Sequence, residues 1–295
     1  MRRLVIGCGY LGQEVAQAWL EQGDIVYVTT RSPDRARVFQ DMGFLPIVTD
    51  ITDEEPPGKV PVVDTVLIAV GMDRSRYDSI RSVYVNGLAN ILSWLPDGTG
   101  QIIYVSSTGV YGQTGGEEIT ETSTAEPVRE GGIACLEAER LLTKSRFARH
   151  ATILRLAGIY GPGRVPSAEK IRSRNVSSLN PDGHINLIHR DDAVTAILNT
   201  AALGVMGETI LVSDGNAPLR RDYYQILANL YDLGPIEWPA SLSAGQQESQ
   251  SSARSAGKGK RIRNERMKSL LQFEPLWSDL EAGIRNAIGL EGQQG

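Results

Sequence analysis

The hexapeptide Gly7-Cys8-Gly9-Tyr10-Leu11-Gly12 constrains this chain more than any other feature, because of what flanks it. Leu4-Val5-Ile6 before it reads as a buried strand, and residues 13–22 after it read as a helix, with Val15, Ala16, Trp19 and Leu20 on one face and Gly23 as the stop. A G-x-G-x-x-G between a strand and a helix is a cradle for linked phosphates. Gly7 permits the tight turn, Gly9 lets the backbone approach a pyrophosphate, and Gly12 lets the helix pack close to the strand. The helix entrance at Tyr10 and Leu11 offers unpaired N–H groups and a partial positive charge to an anion. The plainer alternative is a glycine-rich turn with no ligand.

Further strands are expected at residues 25–29, 65–70, 101–106 and 152–156, each an almost unbroken apolar run, as in a sheet covered on both faces. Helical patterns lie between them, notably at 75–95, stopped by Pro96, and at 133–147. This alternation predicts an α/β fold with a doubly wound parallel sheet of the Rossmann type. The dinucleotide domain is assigned to residues 1–160 and a smaller C-terminal substrate lobe to 161–295, with segments at about 185–212 returning to the sheet. Within that stretch, short strands are expected at 185–188 and 209–212, around a helix from 191 to about 203. Residues 241–259, rich in Ser, Gln, Gly and Ala, read as a flexible loop, and 260–290 as helical.

The second strand bears on which dinucleotide binds. An NAD site usually ends that strand with a carboxylate for the ribose hydroxyls. Here the end reads Thr30-Arg31-Ser32. Arg31 suits a 2′-phosphate, which an acid would repel, and Thr30 and Ser32 can add hydroxyl donors. NADP is therefore expected before NAD, the alternative being a solvated loop charge. Asp50 suits either an adenine amino group or a turn, given Thr52 and Asp53 beside it. Ala69-Val70-Gly71, small residues after the fourth strand, leave room for a ribose against the sheet edge.

Composition excludes several other classes. The chain has 295 residues and a formal net charge of -5, which argues against binding nucleic acid by bulk charge. Two cysteines are too few for a disulfide framework, and the three histidines show no metal-ligand spacing, so no metal site is expected. No run approaches the ~18 apolar residues of a membrane span. Met1-Arg2-Arg3 is followed by only a short apolar run before glycine breaks it, so no signal peptide is read and a cytoplasmic protein is expected.

Further motifs follow in order. They are Tyr104-Val105-Ser106-Ser107-Thr108-Gly109-Val110-Tyr111-Gly112, Leu154-Arg155-Leu156-Ala157-Gly158-Ile159-Tyr160-Gly161-Pro162-Gly163, Asn186-Leu187-Ile188-His189-Arg190-Asp191-Asp192-Ala193 and Leu211-Val212-Ser213-Asp214-Gly215. With the glycine turn they span about residues 1–215. On them the chain resembles the extended short-chain dehydrogenase/reductase superfamily, in its NAD(P)-dependent epimerase/dehydratase branch. That resemblance implies a catalytic Ser or Thr, a Tyr-x-x-x-Lys pair and a supporting Asn. Ser107 matches the first. Counting back from Ala138-Glu139 puts the tyrosine at Gly131 and the lysine at Cys135, so both are missing, and Tyr84 falls at the Asn position. The chain is thus similar to atypical members that keep the cofactor fold without the catalytic set.

Tyr111 and His189 are the candidates for the missing proton donor, with packing under the loop and a structural hydrogen bond as the plainer readings. Ser107 can polarise a carbonyl but cannot alone act as a base at neutral pH. Asp191 reads as a helix N-cap. Thr108 and Arg164 are assigned to substrate, since the resemblance places the Arg164 loop at a cleft border where relatives hold a sugar-nucleotide diphosphate. The seven basic residues from Arg254 to Lys268 read as either that border or a solvated face. The implied activity is that of an epimerase/dehydratase-like oxidoreductase on a hydroxyl or keto group of a polar carbonyl compound or sugar derivative. The alternative is a non-catalytic NADP-binding sensor or scaffold. The resemblance also points to a homodimer through the two long helices. No membrane or nucleic-acid partner is expected.

Overall fold

The apolar runs pair into one seven-stranded parallel sheet. Its strands are β1 (Arg2–Ile6), β2 (Ile25–Thr30), β3 (Leu45–Val48), β4 (Thr65–Ile68), β5 (Gln101–Ser107), β7 (Ala151–Leu156) and β10 (Thr209–Val212), in the order β3-β2-β1-β4-β5-β7-β10. The computed structural model describes residues 1–55, 58–73, 75, 79–239 and 257–290. Val5, Val28, Val66, Ile102, Leu154 and Ile210 are fully buried, which explains why the central strands lack polar alternation. The edge strand β3 is half-exposed and carries Pro46, which withholds a donor.

Helices cover both faces. On one side α1 (Gly12–Glu21), α2 (Pro33–Asp41), α6 (Arg190–Ala202) and α8 (Glu265–Leu271) bury Val15, Trp19, Phe39, Ile197, Met267 and Leu271 against the sheet. On the other, α3 (Gly87–Trp94) and α4 (Glu130–Lys144) bury Leu88, Ile91, Ala138 and Leu142. A separate cluster forms the lobe, where α5 (Ala168–Arg172), α7 (Arg220–Leu230) and α9 (Leu280–Ala287) pack around Tyr160, Leu187, Tyr223, Leu227 and Ile284.

Several sequence expectations need correction. The helix expected at 75–95 begins at Ile80, and its first full turn, Ser82–Asn86, is π-helical before α3 takes over; residues 76–78 lie outside the described residues. The helix expected at 133–147 runs from Glu130 to Lys144. Residues 187–189 form β9 (Leu187–His189), which pairs in parallel with β8 (Gly158–Tyr160) rather than with the large sheet, whereas β10 does join it. Residues 241–256 of the expected loop lie outside the described residues. Its last residue opens β11 (Gly259–Ile262), a strand the helical reading of 260–290 missed, paired in parallel with β6 (Gly115–Ile119). That pairing is between segments far apart in sequence, and the Lys- and Arg-rich composition of β11 hides its strand character.

Candidate functional site

The strand order reverses direction between β1 and β4. The chain winds outward from β1 to β3 on one side and from β4 to β10 on the other. Such a switch point leaves a crevice beyond the carboxyl ends of the strands. A cleft of about 900 Å³ lies there, walled by the glycine turn, the ends of β2, β4 and β5, and the segment after β7.

The three glycines of the turn do different things. Gly7 has φ +92°, and a Cβ on it would stand 2.6 Å from the Ala69 carbonyl oxygen, so β1 and β4 can close up only on glycine. A Cβ on Gly12 would collide with the Gly7 carbonyl oxygen. Gly9 is unlike both: a Cβ there meets no protein atom within 4 Å, although the residue lines the cleft. Its bareness serves the open space and not the fold. No side chain caps the N–H groups at the start of α1, of which that of Gln13 already donates to the Gly9 carbonyl at 2.9 Å. Tyr10 and Leu11 line the cleft beside them.

At the β2 end, Thr30, Arg31 and Ser32 all line the cleft. Arg31 pairs with Asp73 at 3.2 Å across its mouth. The Ser32 hydroxyl accepts from the Arg35 N–H at 3.2 Å as the N-cap of α2, so its role is in the helix start. Arg35 is a residue that sequence reasoning missed. Its guanidinium lies against Phe39 and donates to the Cys8 carbonyl at 2.9 Å, inside the same cleft. The available signal was a second arginine one turn beyond Arg31. Asp50 accepts from the Thr52 backbone N–H at 3.0 Å and its hydroxyl at 2.8 Å, the geometry of a turn. Its neighbours Thr49 and Ile51 line the cleft and Asp50 does not. Ala69, Val70, Gly71 and Arg164 do. The Arg164 guanidinium stands 5.5 Å from the Tyr10 ring, which places its charge beside Tyr10 at the cleft.

At the β5 end, Val105, Ser106 and Ser107 line the cleft together with Tyr84. The Ser107 hydroxyl accepts from Gly109 N–H at 3.0 Å. Thr108 is buried outside the cleft lining, and its carbonyl accepts from the Lys260 ammonium at 2.7 Å. Lys260 also holds the Tyr111 carbonyl, and burial pulls its pKa down to about 8. Tyr111 is 3% exposed. Its hydroxyl accepts from Arg155 at 2.6 Å and donates to the Thr120 carbonyl at 3.2 Å. Arg155 in turn forms a bidentate pair with Glu139 at 3.0 and 2.6 Å, and Ser106 donates to the same carboxylate at 2.5 Å. Tyr111 is therefore one member of a buried, fully partnered network, and burial pushes its phenol up.

His189 does not reach the cleft. It is fully buried, with its ring between Tyr160 and Trp277 at 5.1 and 4.9 Å, and burial lowers its pKa. Its Nδ1 accepts from the Asp191 N–H at 3.2 Å, so His189, and not Asp191, caps α6. Cys135 is buried and its thiol pushed up to about 11. A Cβ on Gly131 would stand 3.5 Å from Ile80 Cδ1, an ordinary contact. The basic C-terminal run is largely paired: Arg261 and Arg263 with Glu118, Arg266 with Glu208, Lys268 with Glu274. Among the described residues no cluster of His, Cys, Asp and Glu could hold a metal, and no helix is long and apolar enough to cross a membrane.

A Rossmann-type sheet with a glycine turn at its switch point defines a dinucleotide-binding class of fold. The sequence matches the model of the NAD dependent epimerase/dehydratase family over residues 3–198, and the chain belongs to that family. Protein YeeZ of Escherichia coli is 32% identical over 181 residues, which cover 61% of this chain. The match spans 59% of YeeZ, less than two thirds of that relative. A conserved protein of unknown function from Silicibacter pomeroyi superposes with a TM-score of 0.71 at 24% identity, covering 96% of both chains. The UDP-glucuronic acid 4-epimerase of Bacillus cereus, solved in complex with NAD, gives 0.72 at 18% identity over 97% of each chain. At such identities the solved structures speak for the fold alone.

Proposed function

We propose that this protein binds NADP in the switch-point cleft and acts as an oxidoreductase on the hydroxyl or keto group of a polar carbonyl compound or sugar derivative, sugar nucleotides being the first class to test. The observation that carries the reading is the open space over Gly9, flanked by an uncapped helix start and by Arg31 and Arg35 where an NAD site would hold a carboxylate. A nicotinamide held there would exchange hydride with the substrate carbon.

The residues present fit such a group. The turn from Gly7 to Gly12 and the N–H groups of α1 would take the pyrophosphate, with Arg164 adding charge from above Tyr10. Arg31, Arg35 and Thr30 would take the 2′-phosphate, which then competes with Asp73 for Arg31. Ala69-Val70-Gly71 would face the nicotinamide-side ribose. Ser107, at the end of β5, would donate a hydrogen bond to the substrate oxygen.

A second reading, an NADP-binding sensor or scaffold without turnover, is supported by the resemblance, whose motif count puts Gly131 and Cys135 at the positions of the proton-transfer pair. Thermal shifts with NADPH and NADH, followed by a turnover screen against keto sugars and sugar nucleotides, test both. A larger shift with NADPH and turnover that falls on Ser107→Ala support the first reading. Tight binding without turnover supports the second, and equal shifts remove the case for NADP.

A further inference from the structure

The phenol that α4 lacks has a counterpart on the facing helix. The π-helical turn Ser82–Asn86 closes with the Gly87 N–H donating to the Ser82 carbonyl, one residue wider than an α-turn. Such single turns change which side chains face a given side, and they recur at functional sites. Here Val83 and Val85 are buried at 2% and 7%, and half-buried Tyr84 between them lines the cleft beside Ser106 and Ser107. Tyr84 also packs against the cluster that contains Cys135. Ile80, four residues earlier on the same helix, borders the space a side chain on Gly131 would enter. The Arg81 guanidinium holds this helix against α4 through both carboxylate oxygens of Glu137. Tyr84 thus stands where the cleft meets the cluster around Cys135, on the helix whose Ile80 faces Gly131.

We propose that Tyr84 is the catalytic proton donor and acceptor of this protein, a role that rests on the cofactor reading above. In the reducing direction a reduced nicotinamide held at the turn from Gly7 to Gly12 would supply the hydride for the substrate carbonyl carbon. The Tyr84 hydroxyl gives its proton to the carbonyl oxygen, which Ser107 also contacts. The products are an alcohol, an oxidised nicotinamide and a tyrosinate that regains its proton from solvent; the reverse direction runs the same steps backwards. The competitors are placed elsewhere. Tyr111 is locked between Arg155 and Thr120, His189 lies in the lobe core, and the Tyr10 ring is held between Arg164 and Arg190 with its hydroxyl buried against Gly161. Among the described residues lining the cleft, Tyr84 is the phenol at the Ser107 end.

The test is a tyrosinate absorbance titration of the wild-type protein and Tyr84→Phe, each with and without saturating NADP⁺, with binding checked separately by thermal shift. An oxidised nicotinamide carries positive charge, so a phenol beside it should ionise about one pH unit or more lower when the coenzyme is bound. The expected result is a coenzyme-dependent phenol ionisation in the wild type that Tyr84→Phe lacks, although both proteins bind NADP⁺. Binding without such an ionisation in the wild type, or with the same ionisation in Tyr84→Phe, overturns the proposal. No binding by the wild type overturns the cofactor reading, and this one with it. Should Tyr84→Phe fail to fold, the wild-type titrations alone decide. With an α-diketone and NADPH as probes, Tyr84→Phe should lower kcat by roughly 10²- to 10⁴-fold while the KM for NADPH stays within about twofold; unchanged kcat overturns the proposal.

Discussion

The three glycines of the turn should separate folding from binding. On Gly7→Ala, a Cβ at φ +92° meets the Ala69 carbonyl oxygen at 2.6 Å. The left-handed backbone costs about 1–2 kcal/mol and the overlap about 1–3 kcal/mol more. At roughly 2–4 °C per kcal/mol for a large domain, Tm should fall by about 5–20 °C. Gly9→Val places its side chain where no protein atom lies within 4 Å, so Tm without ligand should stay within about 2 °C of wild type. Ligand at about 100 times its Kd stabilises by about 2.7 kcal/mol, a rise of roughly 5–10 °C. Wild-type protein should show that rise with NADPH and Gly9→Val should show none. Differential scanning fluorimetry reads both effects in one plate. A Gly9→Val protein that keeps the full NADPH shift would refute the reasoning, because a dinucleotide could then not be lying against this turn. So would a Gly9→Val protein as destabilised as Gly7→Ala, because the open space would then be filled.

Three further outcomes are expected. Arg35→Ala should weaken NADPH binding by roughly 10- to 100-fold, the worth of a hydrogen bond to a charged group, and leave NADH binding nearly unchanged in titration calorimetry; equal losses would place Arg35 away from the 2′-phosphate. Glu139→Gln strands the buried Arg155 charge and should cost about 3–5 kcal/mol in urea unfolding, whereas a loss under about 1 kcal/mol would mean that water reaches the pair. Asp214 is buried and its carboxyl is pushed up to about 7, so between pH ~4 and ~7 the folded chain binds more protons here than the unfolded one, and this group's contribution to stability falls as pH rises through that window. Asp214→Asn should therefore flatten the pH dependence of stability and raise stability at pH 8 relative to pH 5, and an unaltered profile would count against a neutral buried carboxyl.

The sheet was legible because central parallel strands are apolar on both faces, so the runs at β1, β2, β4, β5 and β7 stand out without any tertiary information. The glycine turn was legible because its chemistry is local: Gly12 answers to Gly7 five residues away, Gly7 to Ala69 across one strand, and Gly9 to the open cleft. The β5 end of the cleft was harder to read, since its partners come from distant segments. Tyr111 suited either proton transfer or packing under its loop, and Arg155, 44 residues later, decides for packing by holding its hydroxyl. A signal did exist, because an arginine inside Leu154-Arg155-Leu156 and a glutamate inside the apolar face of α4 ask for each other once both are buried. His189 looked like the start of a helix near a site, yet Tyr160 and Trp277 enclose it, contacts no spacing rule contains. The π-helical turn Ser82–Asn86, which carries Tyr84, leaves no mark in hydrophobic periodicity. The pairing of β11 with β6 was hidden for the same reason as the Arg155 network, since its register joins Gly259 to Gly115.

Isothermal titration of the full chain with NADPH and with NADH reaches the central claim most directly. Saturable binding near one coenzyme per chain, tighter for NADPH and abolished by Gly9→Val, is the predicted result. Folded protein that binds neither coenzyme, or that binds both equally well with Gly9→Val as without it, would contradict it.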